Sequence, residues 1–193
     1  MTLVLASGSA SRRAILESAG VAFEVDPAGV DEAAIKRSFD GEASALAQAL
    51  ADSKALAVSA RRPGLILGAD QVLEFDGEAY DKAPDVDTAI SRLRAWRGQT
   101  HYLRGGLTAA RAGEIVWRYR SSCALRIRPV SDTFLERYRR EAGEFLTTTV
   151  GGYAFEGLGA QLFDAVEGDY FAVLGLPLLP LLEFLRQQDV LET

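Results

Sequence analysis

Short apolar runs alternate along the chain with longer stretches whose apolar positions recur every three or four residues, the pattern of a mixed α/β domain. Residues 3–6 read as a buried strand, which turns through Ser7-Gly8-Ser9-Ala10-Ser11 into a helix over 12–19. Gly20 stands where a helix commonly ends on glycine. Residues 21–25 alternate like a strand and lead to an acidic loop with Asp26, Asp31 and Glu32. The Ala- and Leu-rich stretch 43–60 lacks breakers and predicts a helix. A second buried strand, 65–67, leads to Gly68-Ala69-Asp70. Asp76-Gly77 marks a hairpin between 72–75 and 78–80. Helices are expected over 86–96 and 131–140, and a last one starts after Pro177 and runs to about 188. Two longer strands, 102–110 and 114–127, are joined near Arg111-Ala112-Gly113, and a strand-like stretch, 161–166, comes after the glycine-rich segment 151–159.

Composition narrows the function classes. With 48% hydrophobic residues among 193, the chain has enough apolar surface for a sizeable core, and one domain over 1–193 is expected. Lys+Arg 21 against Asp+Glu 27 leaves a net charge of −6, which argues against a nucleic-acid polymer as partner. A single cysteine, Cys123, and a single histidine, His101, exclude an internal disulfide, cysteine metal clusters and paired-histidine chemistry. The apolar start is too short for a signal peptide, and no run approaches the roughly 18 apolar residues of a membrane span, so a soluble cytoplasmic protein is expected.

Three places carry candidate chemistry. In Ser7-Gly8-Ser9-Ala10-Ser11-Arg12-Arg13 a strand turns into a helix through small residues, leaving N–H groups at the positive end of the helix beside serine hydroxyls and two guanidinium groups. That combination suits phosphate oxygens, although no Gly-Lys-Ser/Thr follows and it is not a Walker A loop. Asp70 ends a buried strand, where α/β sheets usually hold ligands, and reads either as a metal- or water-orienting carboxylate or as a turn aspartate. Lys82, beyond the hairpin, either returns toward Asp70 or serves a structural ion pair. Lys54 shares an i+4 line with Leu46, Leu50 and Val58, so it either snorkels to water or meets an anion. His101 reads as a hydrogen-bonded structural histidine, and Cys123, Trp96 and Trp117 read as packing residues.

Taken together, the segments resemble the Maf family of nucleoside triphosphate pyrophosphatases. The resemblance rests on Leu5-Ala6-Ser7-Gly8-Ser9 through Arg12-Arg13, Val30-Asp31-Glu32, Ser53-Lys54-Ala55 and Gly68-Ala69-Asp70-Gln71. It continues with Asp81-Lys82, Gly98-Gln99-Thr100-His101, Glu156-Gly157-Leu158-Gly159-Ala160, Glu167-Gly168-Asp169-Tyr170 and Gly175-Leu176-Pro177-Leu178. It implies an elongated, ITPase-like α/β fold with a mixed sheet flanked by helices, two lobes and a central cleft, often as a homodimer. It also implies metal-dependent hydrolysis (Mg²⁺ or Mn²⁺) of the α–β phosphate bond of a nucleoside triphosphate. Carried over by position, Asp70 is the proton acceptor and Glu32 its acidic partner for metal or water. Ser7, Ser9, Arg12, Arg13, Lys54 and Lys82 would bind and neutralise the triphosphate.

Specificity in the family tracks positions matching Ser11, Gln71 and Glu156. Enzymes for dTTP and UTP carry Arg, Thr and Gln there, and those for 7-methyl-GTP carry Trp, Gln and Glu. This chain shares Gln71 and Glu156 with the second group, while Ser11 departs from both. A carboxylate only accepts hydrogen bonds, and guanine offers two adjacent donors where uracil and thymine offer one. The alternatives are a dTTP/UTP-preferring enzyme and a nucleotide-binding regulatory protein that has lost catalysis.

Overall fold

The computed structural model describes residues 1–192. The chain forms a seven-stranded mixed sheet flanked by helices. Its strands are β1 (Leu3–Leu5), β2 (Glu24–Val25), β3 (Leu65–Phe75), β4 (Glu78–Tyr80), β5 (Thr100–Arg111), β6 (Glu114–Ile127) and β7 (Phe163–Glu167), in the order β2-β1-β3-β5-β6-β7 with β4 on β3. β1 runs parallel to both β2 and β3, whereas β3/β4 and β6/β7 are antiparallel. The helices are α1 (Ala10–Ser18), α2 (Glu32–Ser38), α3 (Ala43–Ser59), α4 (Val86–Ala95), α5 (Asp132–Glu141), α6 (Phe145–Thr148), α7 (Tyr170–Val173) and α8 (Leu178–Gln187). Among the described residues no helix is long and apolar enough to cross a membrane.

The chain divides into two compact units. The first comprises residues 1–71, 104–121 and the chain from Asp169 on, and the second comprises 72–103 and 122–168. In the first unit, strand alternation sorts side chains to two faces. Leu3, Leu5, Leu65, Leu67, Ala69, Leu107 and Ala109 pack in one cluster with Ile15 and Leu16 of α1 and Leu181, Phe184 and Leu185 of α8. Val4, Ala6 and Ile66 pack with Val58 of α3. Gly68 and Asp70 have the parity of Ile66, so alternation turns them toward α3 as well.

That face is built for close approach. Ala47, Ala51 and Ala55 recur every four residues along α3 and are fully buried. A Cβ added at Gly68 would overlap the backbone of Ala51 and Ala55, and one at Gly106 would overlap the backbone of Ala47 and Gln48. Glycine on the sheet and alanine on the helix thus let two backbones meet with almost no side chain between them. Polar bonds fix the same helix sideways: Gln48 Nε2 donates to Thr108 Oγ1 at 2.7 Å, Thr108 Oγ1 to Asp52 Oδ1 at 2.6 Å, and Arg118 Nε to Asp52 Oδ2 at 3.0 Å. Burial alone would raise the Asp52 pKa, but the bonds from Arg118, Thr108 and Gln48 hold it below its ordinary value.

In the second unit, Asp76 and Gly77 both take positive φ in the hairpin that pairs Leu73 with Tyr80, as the Asp-Gly signal requires. Trp96 is buried against Phe75, Tyr80 and His101, and Cys123 is buried. In the first unit Trp117 stacks on Phe184 at 4.6 Å. All three are packing residues.

Several elements depart from the sequence pattern. The strand expected over 21–25 shrinks to two exposed residues at the sheet edge. The stretch expected as an acidic loop becomes α2, whose N-cap Asp31 accepts from Ala34 N at 2.9 Å. The strand expected over 161–166 begins only at Phe163, after a 3₁₀ turn over Leu158–Leu162. The four-residue helices α6 and α7 lie below the length at which periodicity shows.

Gly68→Ala should lower unfolding stability by about 2–3 kcal/mol, because the added methyl meets helix backbone that cannot rotate away. Urea denaturation measures this. A loss under about 0.5 kcal/mol, the range of neutral surface changes, would contradict so tight a contact.

Candidate functional site

β3 is longer than its apolar run suggests, so Asp70 lies in mid-strand rather than at a strand end. The strand end that matters belongs to its neighbour. β1 stops at Leu5, paired with Leu67, so the parallel pairing is over before Asp70 is reached. From there the β1 chain continues into Ser7 and α1.

The shortness of the gap beneath α3 delivers Lys54 to this place. Lys54 Nζ lies 2.5 Å from Asp70 Oδ1 and 2.7 Å from Glu32 Oε1. Lys54 is 9% exposed and Asp70 8%, while the Glu32 side chain is 40% exposed. Of the two roles open to Lys54, snorkelling is excluded by this geometry, since its ammonium ends on carboxylates. Glu32 comes from the first turn of α2, which the Asp31 cap starts one residue earlier. Glu32 also reaches Lys36 at 3.8 Å.

A second cation is fixed nearby by the start of α1. Arg12 is 9% exposed, and its Nε donates to the Gly175 carbonyl at 2.9 Å and its Nη1 to Ser7 Oγ at 3.1 Å. Gly175 takes φ +99°, a conformation that favours glycine, and there its carbonyl meets the guanidinium. Burial pushes the Arg12 pKa down, and the charges of Asp70 and Glu32 pull it back up. A guanidinium remains protonated under such opposition, so Arg12 stays a fixed positive charge. Ser9 caps α1 by accepting from Arg12 N at 3.4 Å, Ser9 N donates to Ser7 Oγ at 3.3 Å, and the Ser9 and Ser11 hydroxyls are 3.1 Å apart.

Gln71, one residue past Asp70, has the opposite parity and sends Nε2 to the Ala172 carbonyl at 2.8 Å. Its amide hydrogens are engaged by backbone, which leaves its oxygen as the group to offer. The first unit therefore gathers Ser7, Ser9, Ser11, Arg12, Glu32, Lys54, Asp70 and Gln71 around the end of β1. Arg13 follows on α1 as an exposed side chain. Lys82 and Glu156 belong to the second unit, and both are exposed.

Two supporting residues are absent from the sequence pattern, and a third, Gly175, stands in a motif that gives it no role. Asp52 and Thr108 brace α3, the helix that holds Lys54, and Gly175 accepts the Arg12 bond. A Gln-x-x-x-Asp spacing on α3 is the available signal for Asp52, but its partner Thr108 lies 56 residues away.

Chemically the cluster holds two fixed cations and two carboxylates in a partly desolvated place. Such an arrangement has the chemistry to bind a polyanion through Arg12, Lys54 and the N–H groups of α1, and a carboxylate such as Asp70 is able to orient or deprotonate a water. Lys54→Met should cost about 3 kcal/mol of stability at neutral pH, because it leaves Asp70 buried without its cation. The double variant Lys54→Met/Asp70→Asn should cost less than the summed singles by about 1–3 kcal/mol. Strict additivity in urea melts would show that the pair is not coupled.

The chain matches the family model described as Maf-like protein over residues 2–188. A protein of Maricaulis maris (strain MCS10) named nucleoside triphosphate pyrophosphatase is 48% identical over 191 residues, 98% of this chain and 97% of its own length. One of the same name from Caulobacter vibrioides (strain ATCC 19089 / CIP 103742 / CB 15) is 48% identical over 192 residues, 98% of this chain and 96% of its own. A protein of Rhizobium meliloti (strain 1021) named 7-methyl-GTP pyrophosphatase is 40% identical over 194 residues, 98% of both chains. Likeness of this depth, running nearly end to end through every segment that builds the charged cluster, places the chain in the Maf family.

Proposed function

We propose that this protein is a nucleoside triphosphate pyrophosphatase, hydrolysing the α–β phosphate bond to a nucleoside monophosphate and pyrophosphate. The observation that carries the reading is Lys54 Nζ held between Asp70 and Glu32, with the buried Arg12 tied to Ser7 alongside. Relatives that share nearly the whole length bear the same activity in their names.

A triphosphate brings about four negative charges, so its site needs clustered donors and fixed cations. Ser7, Ser9, Arg12, Lys54 and the first turn of α1 supply them in one unit, and Arg13 and Lys82 add exposed charge. A water oxygen bonds to phosphorus on one side of the α–β bridge, the bridging oxygen departs on the other, and Asp70 takes the water proton. Arg12 and Lys54 stabilise the charge that grows on the leaving pyrophosphate.

The donor set fits a divalent cation. Glu32 Oε1 and Asp70 Oδ1 already converge on one cationic group, and two carboxylates completed by phosphate and water suit Mg²⁺ or Mn²⁺. Bound there, the cation would supply charge neutralisation on the phosphates. Glu32 and Asp70 would hold it.

For the base, the presence of both Gln71 and Glu156 in the sequence supports a guanine-like, 7-methyl-GTP preference. Glu156 is exposed and only accepts hydrogen bonds, which suits the two donors on guanine's pairing edge and the positive charge of a 7-methylated ring. The relative named for 7-methyl-GTP is 40% identical.

Pyrophosphate release with Mg²⁺ or Mn²⁺ should be seen from 7-methyl-GTP and GTP above UTP and dTTP. Asp70→Asn should lower kcat by about 10²-fold or more, the usual worth of a positioned proton acceptor. Full activity of Asp70→Asn would refute its role, and tight triphosphate binding without turnover under either metal would favour a regulatory protein. Glu156→Gln should shift the ranking toward the pyrimidines; an unchanged ranking would remove Glu156 from base reading.

A further inference from the structure

The glycine-rich segment 151–159 carries Glu156, and its shape is set from below by one buried pair. His101 on β5 and Tyr153 are both buried, with His101 Nε2 and Tyr153 Oη 2.7 Å apart. The Tyr153 ring meets Phe163 edge-on at 4.8 Å. A Cβ at Gly151 would overlap that ring, and one at Gly159 would overlap Tyr153 Cβ and the Ala154 backbone. Gly151 and Gly159 are therefore explained by Tyr153: the chain passes its ring and its own backbone too closely for any other residue at those two positions. Gly152 takes φ +71°, and its carbonyl accepts from Tyr138 Oη at 2.9 Å.

The chain just beyond this anchor is equally definite. Gly157 N donates to the Ala154 carbonyl at 3.2 Å, closing a four-residue turn that begins directly after Tyr153. Glu156 is the third residue of that turn and is exposed. A tyrosine that is held at its ring and at its hydroxyl thus sets where the turn starts, and the turn sets where the carboxylate stands.

The polar contact is expensive as packing alone. His101 is fully buried and its Nδ1 finds no hydrogen-bond partner among the described residues. Burial takes the imidazole pKa down to about 4, so the ring is neutral near pH 7 and its bond to Tyr153 is directional rather than ionic. Two apolar side chains would fill the same volume without leaving a buried nitrogen unsatisfied. The feature that an apolar pair lacks is a fixed height and direction for the tyrosine hydroxyl.

We infer that the His101–Tyr153 pair positions the Glu156 turn, and through it acts as a positioning element for base selection. The selection half of this inference rests on the base-reading role proposed for Glu156; the anchoring half does not.

Tyr153→Phe keeps the ring between the glycines and removes only the hydroxyl. Hydrogen exchange on the full chain should then show amides of 151–159 exchanging at least about tenfold faster, while amides of β3 and β5 keep their wild-type rates. The ratio of kcat/KM for 7-methyl-GTP over UTP should fall by about tenfold, chiefly through KM, as a loosened positioning shell does. Unchanged exchange in 151–159 would overturn the anchor. Faster exchange with an unchanged ratio, in a protein whose ratio Glu156→Gln does alter, would overturn the link to selection. A ratio insensitive to Glu156→Gln as well would overturn both that link and the base-reading role, and the exchange result would still decide the anchor.

Discussion

Everything in the charged cluster depends on how near one helix can come to the sheet. α3 delivers Lys54 to a carboxylate in mid-strand, and a lysine stem is long enough for that only if the helix backbone lies almost on the strands. Hydrogen in place of a side chain at Gly68 and Gly106, against the alanine stripe 47, 51 and 55, provides the clearance. The consequence is an ammonium held within 2.5 Å of Asp70 and 2.7 Å of Glu32. Buried charges of this kind contribute little net stability against an apolar alternative, because desolvation cancels most of the attraction. Their retention is better accounted for by the role proposed for them toward a polyanion and a water molecule.

The cluster divides into groups bonded within regular elements and one partly exposed carboxylate. Arg12, Lys54 and Asp70 sit on regular elements whose own bonds fix them: a capped helix, a helix latched through Asp52 and Thr108, and the sheet. Glu32 sits at the start of a short helix and is partly exposed. A carboxylate in that position can exchange partners between Lys54, Lys36 and an incoming cation without unfolding anything. The groups assigned to charge neutralisation are therefore preorganised, which is where electrostatic catalysis gains most.

Much of the scaffold is legible in the chain. The long Ala/Leu helix, the Asp-Gly hairpin, the paired strands after residue 100 and the final helix all follow from periodicity and turn chemistry. Sequence places Lys54 on an apolar line but leaves its role open, because the answer depends on strand parity and on glycines 14 and 52 residues away, at 68 and 106. Helix α2 escapes periodicity because its seven residues show little apolar repeat, although Asp31 followed by helix formers is the usable sign. Asp70 reads as a strand end because the apolar run stops at Leu67, whereas the strand itself continues to Phe75. The tie between His101 and Tyr153 joins residues 52 apart and leaves no local pattern. Family resemblance assigns roles to residues that spacing alone leaves ambiguous, while the clearance beneath α3 comes only from the three-dimensional structure.

The most direct test links that clearance to the ligand without touching it. Gly106 lies under Ala47, two helical turns from Lys54, and is outside the charged cluster. Calorimetric binding of a non-hydrolysable α,β-methylene nucleoside triphosphate with Mg²⁺ should be about tenfold weaker in Gly106→Ala, measured well below its unfolding temperature, since displacements of about 1 Å are costly at such sites. Wild-type affinity in a folded Gly106→Ala protein would show that the height of α3 does not govern the cluster, and would contradict the dependence of the site on that clearance.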